Sequence, residues 1–100
     1  MAFRVIWSKT ALADLRDLVR YIARDNQQIA RRFGDLIVAK MDSLQTFPRT
    51  GRMVPEYRED LLREIVVSPY RIVYEIDDDS MTISVLRIWH GARGDLEMPE

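Results

Sequence analysis

The sequence predicts an α+β fold of order β-α-α-β-β-β, with an αα-hairpin packed on one face of a small, mainly antiparallel sheet. Three observations predict it. Apolar residues step by three and four over two early stretches, 9–24 and 27–46, as on the buried stripe of a helix. They alternate over three late stretches, 62–67, 70–76 and 81–89, as on a strand with one buried side. A short alternating run at the start, Phe3, Val5 and Trp7, supplies one more strand.

The elements follow in order. Ser8 or Thr10 can cap the first helix, whose apolar positions are Leu12, Leu15, Leu18, Val19 and Ile22. Asp25-Asn26 breaks the chain briefly, and a second helix carries Ala30, Phe33, Ile37, Met41 and Leu44. So short a connection predicts an antiparallel helix pair. Phe47-Pro48 ends it, because the residue before proline avoids helical backbone. Residues 48–60 read as a charged loop, with room for a short strand. Ser68-Pro69 then separates the first two late strands, and Asp77-Asp78-Asp79-Ser80 the last two. The first strand must join this sheet to bury Phe3 and Trp7.

The turns suggest a register. A tight Ser68-Pro69 turn pairs Val67 with Tyr70 and Val66 with Arg71. A turn closing at Asp78-Asp79 pairs Ile76 with Met81 and Arg71 with Leu86. Side chains alternate across a sheet. Ile65, Val67, Tyr70, Ile72, Tyr74, Ile76, Ile83, Val85 and Trp89 then share an apolar face under the helices. The opposite face carries Glu64, Val66, Arg71, Val73, Leu86, Ile88 and His90, with no element left to cover it, which makes it a candidate binding surface. A one-residue slip would exchange the faces. By the same parity Arg63 and Arg87 fall on the apolar side and must reach out from strand ends.

One hundred residues suit one domain, 1–100, with a polar tail from about 94 to 100. The absence of cysteine excludes disulfides and thiolate metal sites, and the single histidine argues against a zinc centre, so neither metal nor cofactor is expected. The start of the chain lacks an apolar leader core, and no run is long enough to span a membrane, so a cytoplasmic location without membrane association is expected. The net charge of -1 argues against a protein that recognises DNA sequence alone.

Several segments carry a resemblance along nearly the whole chain. They are Val5-Ile6-Trp7-Ser8 with Ala11-Leu12-Ala13-Asp14-Leu15, Tyr21-Ile22-Ala23, Phe47-Pro48-Arg49-Thr50-Gly51-Arg52 and Val54-Pro55-Glu56. The strongest are Leu62-Arg63-Glu64-Ile65, Tyr70-Arg71-Ile72-Val73-Tyr74 and His90-Gly91-Ala92-Arg93. In this order the chain resembles the RelE/ParE superfamily of toxins from type II toxin–antitoxin systems. The resemblance implies the topology above and a cognate antitoxin, ParD-like or RelB-like. It also implies a toxic target: RelE-like members cut mRNA in the ribosomal A site, and ParE-like members poison DNA gyrase.

For RNA cleavage the candidates are Arg71 for the phosphate, with His90 and Glu56 as acid and base. A simpler set of roles stands beside these: Arg71 paired with Glu64 across strands, His90 structural at a strand end, Glu56 an ordinary loop acid. The His90-Gly91-Ala92-Arg93 ending resembles ParE-like members, and the 49–60 loop lacks the lysine pair of RelE-type nucleases. DNA gyrase is therefore the expected target and the ribosome the alternative; a non-toxic antitoxin-binding module is a third reading. Arg71, His90 and Arg93 are the expected target-binding residues. Arg16, Arg20, Arg24 and Arg31 on the helices, with Val66, Val73, Leu86 and Ile88 on the uncovered face, are expected to meet the antitoxin.

Overall fold

The computed structural model describes residues 2–98; Met1, Pro99 and Glu100, and with them the end of the expected tail, lie outside the described residues. Strand β1 (Arg4–Trp7) turns Val5 and Trp7 towards the helices and leaves Ile6 exposed. Ser8 follows as the cap of α1 (Lys9–Ala23), its side chain accepting the Ala11 N–H at 3.0 Å. Asn26 caps α2 (Gln27–Asp42) in the same manner. The second helix was expected to run to 46. It ends at Asp42 and tightens into a 3-10 turn, Ser43–Gln45, that still drives Leu44 fully inside. Tightening of the last turn is a common way for a helix to finish before a proline.

The sheet has five strands in the order β1-β5-β4-β3-β2: the expected four and a two-residue strand, β2 (Arg52–Met53), within the loop. Strands β3 (Leu62–Val67), β4 (Tyr70–Asp77) and β5 (Thr82–His90) form the antiparallel meander, and β1 runs parallel to β5. Across the cis Ser68–Pro69 bond the register is the expected one, Val67 with Tyr70 and Val66 with Arg71.

Between β4 and β5 the register differs in two ways. Ile76 pairs with Ile83 rather than Met81, since the turn is longer; this two-residue difference keeps each side chain on its expected face. Then Tyr74 pairs with Val85 but Val73 with Arg87, so Leu86 is an extra residue, a β-bulge. One extra residue inverts the alternation beyond it. Ile88 and His90, expected on the uncovered face, lie on the helix side opposite Ile72 and Tyr70. Arg87 and Trp89, expected under the helices, lie on the other side opposite Val73 and Arg71.

Both helices pack on one face of the sheet. Ala11, Leu18, Ile37 and Met41 meet Ile72, Tyr74, Ile76, Ile83, Val85 and Ile88 in the main core. Each fully buried side chain of this size contributes about 1.5–3 kcal/mol. The opposite face is not bare as expected. The segment after β2 and the C-terminal tail fold over it, and Val54, Leu62, Val73, Trp89 and Leu96 form a second, smaller cluster. Val66 remains half exposed there, at 52%, while Val73 is fully buried.

Candidate functional site

The face away from the helices is organised by charge. Glu64 on β3 is almost completely buried, which an ionised carboxylate tolerates only when paired. Its two oxygens accept the Arg52 Nε–H at 2.6 Å and the Arg71 Nε–H at 2.7 Å. Arg71 completes a fork with Glu56: Nη1 and Nη2 donate to the two carboxylate oxygens, each at 2.7 Å. One Glu56 oxygen accepts in addition the Leu96 backbone N–H at 2.7 Å. The Arg71 hydrogen bonds hold the Glu56 carboxyl down to about 2, against the effect of its partial desolvation. The same bonds push Arg71 above its usual value. Each nitrogen of the Arg71 guanidinium therefore donates one hydrogen bond, which uses three of its five N–H groups and holds the cation between two carboxylates. Glu56 stays ionised down to strongly acidic pH and is correspondingly a weak base.

His90 stands apart from this network. Its ring meets Tyr70 edge to face at 5.1 Å, and its Nδ1 accepts the Ala92 N–H at 3.0 Å. That bond leaves Nε2 as the nitrogen that carries the proton in the neutral ring. With Tyr70 and Ile88 it forms one wall of a cleft of about 480 Å³ against Asp14, Leu18 and Tyr21 of α1. Arg93 closes this cleft and stacks its guanidinium 4.1 Å from the Trp89 ring; Arg87 stacks on the same ring at 4.8 Å. Glu56 and Arg71 are thus joined, whereas Arg71 and His90, expected to share a face, lie on opposite sides of the sheet. Among the described residues no group of three or more His, Asp, Glu or Cys is arranged to hold a metal ion.

The helical hairpin offers a second surface. Arg16, Arg20, Arg24 and Arg31 are all exposed, as is half of Leu12. A groove of about 300 Å³ runs between the helices, floored by Leu15, Val19, Ala30, Gly34 and Val38. Gly34 makes this crossing close: a Cβ there would lie 3.1 Å from Val19 Cγ2. Of the four apolar sheet residues expected to meet a partner, Val66 is exposed and Leu86 partly so, while Val73 and Ile88 are buried by this chain's own residues.

Sequence reasoning passed over three features. Asp14 was read only as part of an α1 motif, yet it reaches β5. Tyr74 was assigned to the core, yet its hydroxyl accepts the Gly51 N–H at 2.9 Å and donates to Pro48 O at 2.8 Å, fixing the loop. Leu96 was placed in a polar tail, although Leu96 and Met98 alternate with Asp95 and Glu97 as a half-buried extended segment would.

A helical hairpin on one side of a sheet, with its first strand parallel to its last, is the architecture of the small toxins of RelE/ParE type. The toxin–antitoxin complex RelBE2 from Mycobacterium tuberculosis contains a chain 26% identical to this one, with a TM-score of 0.67, covering 90% of this chain and 99% of that one. The chromosomal ParDE system of P. aeruginosa shares the fold at 21% identity and a TM-score of 0.70, over 89% and 96% of the two chains. Toxin RelE2 of Caulobacter vibrioides is 33% identical over 90 residues, 90% of this chain and 97% of the relative. Residues 5–94 match the family model described as the ParE toxin of the type II toxin–antitoxin system parDE, and the chain belongs to that family. It is a type II toxin of the RelE/ParE superfamily.

Proposed function

We propose that this toxin is held silent by a cognate antitoxin, ParD-like or RelB-like, and acts in the ParE manner, inhibiting DNA gyrase by binding it in the cytoplasm. The observation that carries this reading is the separation of Arg71 from His90. A nuclease needs its phosphate-holding cation and its proton-transfer groups around one scissile bond. Here β5 turns His90 to the helix side, and Arg71 is paired with Glu56 and Glu64 on the other. Arg93 and His90, at the mouth of the helix-side cleft, are the residues proposed to touch the target, with Arg71 in a supporting role from the opposite face. The antitoxin is proposed to cover the hairpin, using Arg16, Arg20, Arg24 and Arg31, and to reach Val66 at the sheet. Solved structures support such a partner, one being the toxin–antitoxin complex RelBE2 and another a chromosomal system named ParDE.

Ribosome-dependent mRNA cleavage is the second reading, favoured by the name RelE2 of a relative sharing a third of its residues. It requires Arg71, Glu56 and His90 to come together on binding. Induced expression in bacteria without the antitoxin separates the readings. Gyrase poisoning gives DNA breaks and a damage response while translation continues at first. RNA cleavage gives immediate loss of protein synthesis with cut transcripts, and Arg71→Ala or His90→Ala then abolishes cutting in a folded protein. Unimpaired growth would mark a non-toxic antitoxin-binding module and overturn both.

A further inference from the structure

From Gly94 to Met98 the described chain has no regular structure, yet it is seated on the open face of the sheet. The grip is unusual in kind. Side chains of the body hold the main chain of the tail: Trp89 Nε1–H donates to Gly94 O at 3.1 Å and Arg87 Nη1–H to Glu97 O at 3.2 Å. In return the tail's Leu96 N–H donates to Glu56 at 2.7 Å, and its Met98 N–H to the Tyr57 hydroxyl at 3.3 Å. Leu96 is buried to 4% against Val54, Val73 and Trp89, Met98 packs beside it, and Asp95 and Glu97 point to solvent. Main-chain bonds for affinity and pockets for alternate side chains are how proteins hold extended peptides.

Gly94 makes the segment separable. Its φ of 86° belongs to glycine, and a Cβ there would meet nothing within 4 Å, so the reversal of the chain rests on backbone freedom alone. Among the described residues the segment is anchored by buried Leu96, by partly buried Met98 and by four side-chain-to-main-chain bonds from Gly94 onward, which puts it at the low end of local stability.

We infer that the open face is a peptide seat, filled in cis by residues 95–98, and that a partner segment of the same chemistry exchanges for them. That segment is extended, with aliphatic side chains at alternate positions and acidic ones between. The seat is independent of which target the toxin attacks. Exchange would also be felt at Arg71, because Glu56 is shared between the Arg71 guanidinium and the Leu96 amide.

Hydrogen exchange on the unaltered chain gives the first test. The Leu96 and Met98 amides should exchange at least about tenfold faster than those of Tyr74 and Val85. Equal rates would make the tail part of the cooperative fold and overturn the proposal. The second test uses Trp89 emission in a Trp7→Phe background. Leu96→Asp, which loses the anchor, and Gly94→Val, which loses only the reversal, should each shift the emission to the red with the helical circular dichroism retained. A free peptide copying Gly94–Met98 should reverse the shift saturably, and one with serine in place of both aliphatic residues should not. If Leu96→Asp unfolds the chain, Gly94→Val carries the test. Failure of the matching peptide to reverse the shift, or equal action by the serine peptide, would overturn the seat.

Discussion

Asp14 of α1 takes the place of a strand at the edge of the sheet: its Oδ2 accepts the Ile88 N–H of β5 at 2.8 Å, beyond the point where β1 has ended. Ser8 does the same two positions earlier, donating its hydroxyl to Leu86 O at 3.1 Å. One helix side chain and the cap before it thereby close an edge that would otherwise be open to another chain. Arg87 approaches the same Asp14 oxygen at 3.6 Å, its Nε buried without a hydrogen-bond partner among the described residues.

This predicts unequal costs for two substitutions. Asp14→Leu leaves the Ile88 N–H unpaired and should cost about 1–3 kcal/mol in urea unfolding at neutral pH. Asp14→Asn keeps an oxygen acceptor and should cost much less. Burial is the largest influence on the Asp14 carboxyl and raises its pKa, against the Ile88 bond and Arg87, which lower it. In the window above the ordinary 3.8, the folded chain therefore holds a proton that the unfolded chain has shed. Stability from this group falls as pH rises through that window, and Asn removes that slope.

Glu56 titrates with the other sign. Its folded value of about 2 lies below the ordinary 4.5, so its stabilising effect is complete above 4.5 and is lost as pH falls towards 2. Glu56→Gln should lower stability at neutral pH and flatten this acid limb. Unfolding curves collected from pH 7 downward check it; an unchanged acid limb would show that the Arg71 fork contributes nothing to folding.

Tyr74→Phe removes one oxygen and orphans two main-chain groups, Gly51 N–H and Pro48 C=O. A loss of about 1–3 kcal/mol is expected. Gly51→Ala should be worse, because its Cβ would lie 2.5 Å from Glu64 O and 2.7 Å from the Tyr74 hydroxyl. Thermal melts rank the two, and a mild Gly51→Ala would mean that the loop can move away.

Charge reversal at Arg16, Arg20, Arg24 and Arg31 should weaken antitoxin binding by roughly ten- to hundredfold at low salt, largely through slower association. Titration of the purified variant with its antitoxin measures this. Unchanged affinity would remove the hairpin from the interface.

The elements were legible in the sequence wherever spacing alone sets them. The Ser8 cap, the Val67–Tyr70 turn and the one-sided placement of the hairpin followed from periodicity and turn chemistry, while Asn26 was read as a break and not as the cap it is. The Leu86 bulge was not legible. A bulge adds one residue with no mark in composition, and Leu86, Arg87 and Ile88 read equally well as unbroken alternation. That single residue moved His90 and Trp89 to opposite sides and divided the expected catalytic trio. The pairing of Arg71 with Glu64 was foreseen because both lie on one face of adjacent strands. The pairing with Glu56 was not, since a loop carboxylate has no register to read.

The parallel pairing of β1 with β5 sets a condition on how this protein matures. Ser8 finds its Leu86 partner 78 residues along the chain, so the sheet cannot be completed until almost all of it has been synthesised. Contacts of such long sequence separation form late and slowly. Until they form, the apolar underside of the helical hairpin waits without its sheet, exposed to aggregation or to capture. The last strand to be made is thus the one that both shelters the hairpin and holds the first strand in the sheet.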